Sequence, residues 1–96
     1  MHAEDVFTAL ADPTRREVVI ALAEHDGCTA TELASGMPIT RQAVAKHLSL
    51  LRRSGLVSRQ RRGRETYYRL LPEALSNAIT WLEDLHGTAQ QRKRAA

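Results

Sequence analysis

A mostly α-helical fold with one β-hairpin is predicted by three observations on this 96-residue sequence. Apolar residues recur at spacings of three and four in several stretches before residue 56, as in amphipathic helices. The same helical spacing returns after residue 72. Between them, residues 57–62 and 65–70 read as two short strands around a Gly-Arg pair, which is typical of a hairpin turn. A chain this short makes one domain with a marginal core, which oligomerisation commonly supports.

The first two helices follow from an apolar cluster in residues 6–11 and from the Asp12-Pro13 pair. Asp12 has a side chain that caps helices, and Pro13 suits a first helical position because its missing N–H costs nothing there. We expect the second helix to run to about Glu24.

Two further helices, joined by a tight turn, are predicted between residues 29 and 53. Thr29 and Glu32 form a Thr-x-x-Glu capping box at the start of the first one. Thr40 caps the second, which runs to about Arg53 and turns an apolar stripe inward. Two such helices, the second exposing polar and basic residues, make a helix-turn-helix.

The outward residues of that second helix suit the major groove of DNA. Arg41 and Lys46 can donate to guanine O6 and N7, and Gln42 can pair with adenine. The hydroxyl of Thr40 lies at a helix N-terminus, where a phosphate also binds well. Taken alone, this helix is equally compatible with an ordinary surface helix. The predicted outward set is Thr40, Arg41, Gln42, Ala45, Lys46 and Ser49.

Charge is distributed unevenly along the chain. Residues 41–64 carry eight basic side chains and no acidic one, whereas the remainder carries 6 basic and 11 acidic residues. Such asymmetry indicates one face that meets a polyanion, although a solvated basic surface without a partner is the alternative. The hairpin is then a wing beside the helix-turn-helix, and four arginines at or near its tip are candidates for contact with the DNA backbone. They are Arg59, Arg61, Arg62 and Arg64.

The last helix is predicted to begin at Pro72 and to end at Gly87. Residues 88–96 are polar and basic, and we expect them to be disordered. The predicted organisation is therefore a single domain over residues 1–87, followed by a basic tail.

Four segments together resemble the winged helix-turn-helix repressors of the ArsR family: FTALADPTRREVVIAL, TATELA, ITRQAVAKHLSLLRRSGLV and RRGRETYYRL. The resemblance covers about residues 4 to 86. It implies a homodimer in which the first and last helices pair between subunits and both recognition helices face one palindromic operator in double-stranded DNA. It also implies repression of a promoter. The residues expected at the dimer interface are Val6, Phe7, Leu10, Leu75, Ile79, Trp81, Leu82 and Leu85.

The chain departs from the metal-sensing members of that family. Where those members carry Cys-x-Cys, this sequence has Cys28 alone, and its Asp84-Leu85-His86 matches only half of a second type of site. Zinc needs three or four ligands, so we expect no metal site and no cofactor. The resemblance is to the branch without a recognisable metal site. A metal- or ligand-responsive repressor of the same fold and a protein-interaction module without DNA binding are the alternatives.

An enzyme and a membrane protein are both disfavoured. The sequence has no phosphate-binding glycine loop and no catalytic triad in context, and the acidic pairs at residues 4–5 and 83–84 point in different directions on their helices. No apolar stretch approaches the roughly 20 residues that span a bilayer. A single cysteine and no signal peptide favour the cytoplasm.

Two adjacent arginines near the start of the second helix have two interpretations. Arg15 and Arg16 oppose the helix dipole, which indicates a phosphate or carboxylate ligand. A salt bridge to Glu4 or Asp5 of the same chain is equally compatible with the pattern.

Overall fold

Five α-helices and one antiparallel hairpin make up residues 3–95, the part of the chain that the computed structural model describes. A single turn of 3-10 helix separates the hairpin from the last helix. This order confirms the predicted mostly α-helical fold with a hairpin. The elements are α1 (Ala3–Ala9), α2 (Pro13–Ala23), α3 (Ala30–Ser35), α4 (Arg41–Arg53), β1 (Val57–Arg62), β2 (Glu65–Leu70), the 3-10 turn (Pro72–Leu75) and α5 (Ser76–Ala95).

The predicted helix caps are confirmed in atomic detail. The carboxylate of Asp12 accepts the backbone N–H of Arg15 at 2.9 Å. The hydroxyl of Thr29 accepts the N–H of Glu32 at 3.1 Å, while the Glu32 carboxylate accepts the Thr29 N–H at 2.8 Å. The hydroxyl of Thr40 likewise accepts a first-turn N–H of α4 at 3.0 Å. Each cap satisfies donors that a helix start otherwise leaves unpaired, so the helices begin where the local sequence requires.

An apolar core fixes the orientation of α4. One stripe of that helix packs against α2 and β1, and its residues repeat at spacings of four and three. A buried side chain of this kind contributes roughly 1.5–3 kcal/mol of hydrophobic free energy. The opposite face of α4 is therefore held outward. The fully buried large side chains are Val6, Val18, Leu22, Val44, Leu48, Leu51 and Leu56.

The hairpin closes through a two-residue turn and is joined to the helical body at its other end. Gly63 takes a positive φ of 63°, which suits the first central position of such a turn. At the far end, Cys28 pairs with Tyr68 through two backbone hydrogen bonds, of 2.9 and 2.7 Å. The loop between α2 and α3 thus extends the sheet at its base.

The end of α1 is capped by side chains from α2. Arg15 donates through Nε to the carbonyl of Ala9 at 2.7 Å and through Nη2 to that of Thr8 at 3.2 Å. Arg16 donates through Nη1 to the carbonyl of Leu10 at 2.7 Å. The last carbonyls of a helix lack partners within it, so these arginines stabilise the junction between α1 and α2. Among the described residues the partners of these two side chains are backbone carbonyls. Glu4, one of the two carboxylates expected to pair with them, has a side chain outside those residues.

The predicted end of the last helix at Gly87 is wrong, because α5 continues to Ala95. Residues 88–95 are accordingly helical rather than disordered. A glycine inside a helix costs only about 0.5–1 kcal/mol relative to alanine, too little by itself to end one. Arg92, Lys93 and Arg94 also lie in the last turn, where positive charge complements the helix dipole.

Candidate nucleic-acid interface

The outer face of α4 carries every residue that the sequence assigned to it. Because Val44 and Leu48 are fully buried, residues on the opposite side of the helix point to solvent. The structure thus presents polar, basic and small side chains together, which is the composition that reads base edges and phosphates. All six residues of the predicted outward set are exposed, namely Thr40, Arg41, Gln42, Ala45, Lys46 and Ser49.

A contact that the sequence did not indicate joins this face to α3. The Nε–H of Arg41 donates to the hydroxyl of Thr31 at 3.1 Å. Thr31 is an exposed residue of α3, outside the Thr29 cap. Nothing in the local pattern marks it, because its partner lies ten residues away on another helix.

The hairpin and the two helices enclose one open cleft of about 540 Å³. Arg41 and Ala45 line it from α4, and Arg64, Thr66 and Tyr68 line it from the hairpin. Residues from the predicted recognition helix and the predicted wing therefore share one concave surface.

Two glutamates also line this cleft, and both are engaged within the chain. The hydrogen bond from the Thr29 backbone lowers the pKa of Glu32, which keeps that carboxylate ionised. Glu65 accepts the hydroxyl of Tyr67 at 2.7 Å, and this bond raises the pKa of Tyr67. Tyr67 therefore stays a neutral donor at physiological pH. The acidic groups of the cleft are thus tied to the protein's own donors.

The arginines of the hairpin divide between its two faces. Arg59 is registered opposite Tyr68, and Arg61 opposite Thr66. Directly opposed residues of an antiparallel pair point to the same side of the sheet. Arg59 and Arg61 therefore share the face whose tyrosine and threonine line the cleft. Arg64 lines the same cleft from the turn.

Arg62 lies on the other face of the hairpin and interacts there. Its guanidinium carbon is 5.6 Å from the centroid of the Tyr67 ring, and its Nη2 is 3.5 Å from Oε1 of Gln60. Nearer the base of this face, Arg69 pairs with Asp26 at 3.0 Å. The four predicted wing arginines thus do not form a single cluster. We call the six exposed residues of the predicted outward set, together with Arg59, Arg61 and Arg64, the recognition surface.

A second exposed surface is apolar and lies on the terminal helices. Phe7 of α1 meets Trp81 of α5 edge to face, with ring centroids 5.5 Å apart. Exposed fractions on this surface range from 37% to 52%, high for large apolar side chains. We call it the terminal apolar face; it consists of Phe7, Ile79, Trp81, Leu82 and Leu85.

Three other residues expected at a dimer interface lie deeper in the chain. Val6 is only 1% exposed and belongs to the core of the chain itself, which corrects its assignment to an outer surface. Leu10 and Leu75 are half-buried and pack against that core. The inward stripe of α1 is used within the protomer because α1 packs on α5 and the 3-10 turn.

The candidate metal ligands Cys28 and His86 do not belong to a common site. Cys28 is buried, and burial raises the pKa of its thiol, so it is protonated at neutral pH. His86 is exposed, and its Nε2 lies 3.4 Å from Nε2 of Gln90. Within residues 3–95 no group of three or more His, Cys, Asp or Glu side chains is placed to hold a metal ion. In the same range, no helix has the length and apolarity needed to cross a membrane.

The architecture defines the class of protein. An outward helix bearing amide and basic side chains follows a short helix and a tight turn, and an arginine-bearing hairpin stands beside it. This combination is a winged helix-turn-helix, a DNA-binding fold.

Comparisons with known proteins identify the family. The pattern of a family described as "Helix-turn-helix domain" matches residues 10–60. The transcriptional repressor SdpR of Bacillus subtilis is 33% identical over 78 residues, covering 81% of this chain and 86% of its own. The arsenical resistance operon repressor of Escherichia coli is 29% identical, covering 94% and 77%.

A solved structure gives the same answer for the fold. The ArsR-like transcriptional regulator from Rhodococcus sp. RHA1 superposes with a TM-score of 0.84 at 38% identity, covering 97% of this chain and 87% of that one. The chain belongs to the ArsR family of winged helix-turn-helix transcriptional regulators, a family of DNA-binding transcription factors rather than enzymes.

Proposed function

We propose that this protein represses transcription as a homodimer that binds a palindromic operator in double-stranded DNA. The observation that carries the proposal is the recognition surface, where Arg41 of α4 and Arg64 of the hairpin wing line one cleft. Repression is favoured by similarity to relatives named as repressors. The DNA partner and the single buried cysteine are consistent with a cytoplasmic location.

Base reading is assigned to the first turns of α4. An α-helix fits the major groove of B-DNA, and residues near its N-terminus reach the base edges. Gln42 suits adenine, and Arg41 and Lys46 suit guanine, whereas Thr40 and Ser49 are assigned phosphate or base contacts. Ala45 is small enough to allow close approach to a thymine methyl group.

Backbone binding is assigned to the wing. Arg59, Arg61 and Arg64 belong to the recognition surface, so they extend its positive charge beyond the major groove. Arg62 is on the opposite face against Tyr67, and we assign it a smaller part.

Dimerisation is assigned to the terminal apolar face. Its aromatic and aliphatic side chains are about half exposed in the single chain, and a second copy would remove them from water. The radius of gyration of 16.1 Å also exceeds the roughly 13 Å of a compact domain of about 100 residues. The 20-residue α5 is long enough for the same helix of a second copy, related by a two-fold axis, to pack along it.

The test is a selection of bound duplexes from random DNA, followed by titration of the selected sequence against a shuffled duplex of equal length. We expect an inverted repeat with half-sites about 34–36 Å apart and a preference of roughly 10³-fold or more. Equal affinity for both duplexes would rule out sequence-specific regulation. Sedimentation at micromolar concentration gives the oligomeric state, and a monomeric mass would rule out the homodimer.

A further inference from the structure

The hydrogen bond between Thr31 and Arg41 has a chemical consequence for DNA recognition. A guanidinium has five N–H donors in a rigid plane. Here the single Nε–H is used by the Thr31 hydroxyl at 3.1 Å, which leaves the four N–H groups of Nη1 and Nη2 for other partners. Those two nitrogens are the pair that can meet guanine O6 and N7 together.

The position of the pair favours a role in orientation rather than in folding. Arg41 is the first residue of α4, and Thr31 and Arg41 both line the cleft. Both side chains are exposed, so their bond adds little to the stability of the fold. A free arginine side chain has several rotatable bonds, and fixing it before binding removes part of the entropy that binding would otherwise cost.

We propose that Thr31 is a positioning residue that holds the Arg41 guanidinium so that its two terminal amino groups face a guanine of the operator. The inference rests on the proposed function and adds to it a specificity determinant outside the recognition helix. Thr31 acts through Arg41, and its own contribution to sequence preference disappears when Arg41 is absent.

The hydrogen bond is first tested without DNA. The Nε–H of Arg41 should give a distinct, exchange-protected signal in ¹⁵N NMR spectra of wild type and of Thr31→Ser, which keeps the hydroxyl. Thr31→Val removes the hydroxyl but keeps the β-branched shape, so the signal should lose its protection. An unprotected signal in wild type would overturn the proposal whatever the protein does with DNA.

The functional test is a double-mutant cycle on the selected operator. We expect Thr31→Val to weaken operator binding roughly three- to tenfold, as for one lost hydrogen bond, and Thr31→Ser to remain near wild type. In an Arg41→Ala background, Thr31→Val should have no further effect. At one position per half-site, replacing guanine by 7-deazaguanine, which lacks N7, should weaken operator binding most in wild type, less in Thr31→Val and hardly at all in Arg41→Ala.

Two results would overturn the positioning role. One is an operator affinity of Thr31→Val equal to that of wild type. The other is an equal loss in the presence and absence of Arg41, which would mean that Thr31 contacts DNA or supports the fold by itself. Ser35→Ala, which removes another exposed hydroxyl from α3, is the matched control and should bind as wild type. If wild type shows no sequence preference at all, the proposed function fails, and the NMR result still decides whether the Thr31–Arg41 bond exists.

Discussion

The recognition surface and the terminal apolar face are both exposed, but different physical forces favour the binding of a partner to each. The first carries cations held outward by a buried stripe on the same helix, and its attraction for a polyanion depends on counterions. The second carries half-exposed aromatic and aliphatic side chains, and its attraction depends on the release of water. Salt weakens the first kind of contact and hardly affects the second. The two surfaces can therefore be perturbed independently, by ions and by substitutions.

Ionic strength should give the largest separation between the two surfaces. If a dimer contacts about 6–10 phosphates, operator affinity falls by about 10³–10⁵ between 50 and 200 mM salt. Fluorescence anisotropy measures this fall, while sedimentation over the same range should show an unchanged dimer mass. Parallel loss of the dimer and of DNA binding would mean that charge, not apolar burial, joins the subunits.

A charge placed on the terminal apolar face should have the next largest effect. Leu82 is 49% exposed, so Leu82→Glu leaves the protomer folded but buries an unpaired carboxylate twice in a two-fold dimer. We expect dimer association to weaken by about 100-fold or more. Gln91→Glu adds the same charge to an exposed polar site of α5 and is the control. An unaltered dimer in Leu82→Glu would show that subunits meet elsewhere.

Loss of one base-reading side chain should produce a selective defect. Gln42→Ala is expected to reduce discrimination between the operator and a variant at one base pair by about 1–3 kcal/mol, with little change on random DNA. Gln60→Ala removes the same group from the face of the wing that carries Arg62, and it serves as the comparison. Competition binding on a panel of single-base operator variants makes the measurement. An equal loss of affinity for every operator variant would mean that Gln42 contacts the DNA backbone rather than a base.

Removal of a wing cation should give the smallest effect, and one without sequence preference. Arg64→Ala is expected to weaken binding to every duplex by about the same factor and to reduce the salt slope by about one per wing. Arg62→Ala should do less, because that side chain lies against Tyr67 on the opposite face. Equal salt slopes for the two variants would contradict the division of the wing into two faces.

Features that depend on neighbouring residues were predictable from the sequence. The Asp12-Pro13 start, the Thr29–Glu32 box and the Thr40 cap each lie within one helical turn, and all three have the expected hydrogen bonds. The outward set on α4 was equally predictable from the sequence, because apolar residues spaced by three and four fix which side of the helix is buried.

Features that depend on how the elements pack were not predictable in the same way. Thr31 and Arg41 meet only because α3 packs on α4, and Arg15 and Arg16 reach carbonyls of α1 across a turn. Gly87 is a different case, because the small free-energy cost of a glycine inside a helix did not end α5 at that residue.

The backbone pairing of Cys28 with Tyr68 fixes one end of the wing and leaves the other end free. The fixed end is hydrogen-bonded to the loop before α3, and the free end is the turn at Gly63 and Arg64. A small rotation of the hairpin about its fixed end moves the turn by a larger distance. If the wing binds DNA as proposed, substitutions in the loop around Cys28 therefore change where its turn meets the duplex, although the substituted residues do not contact DNA themselves.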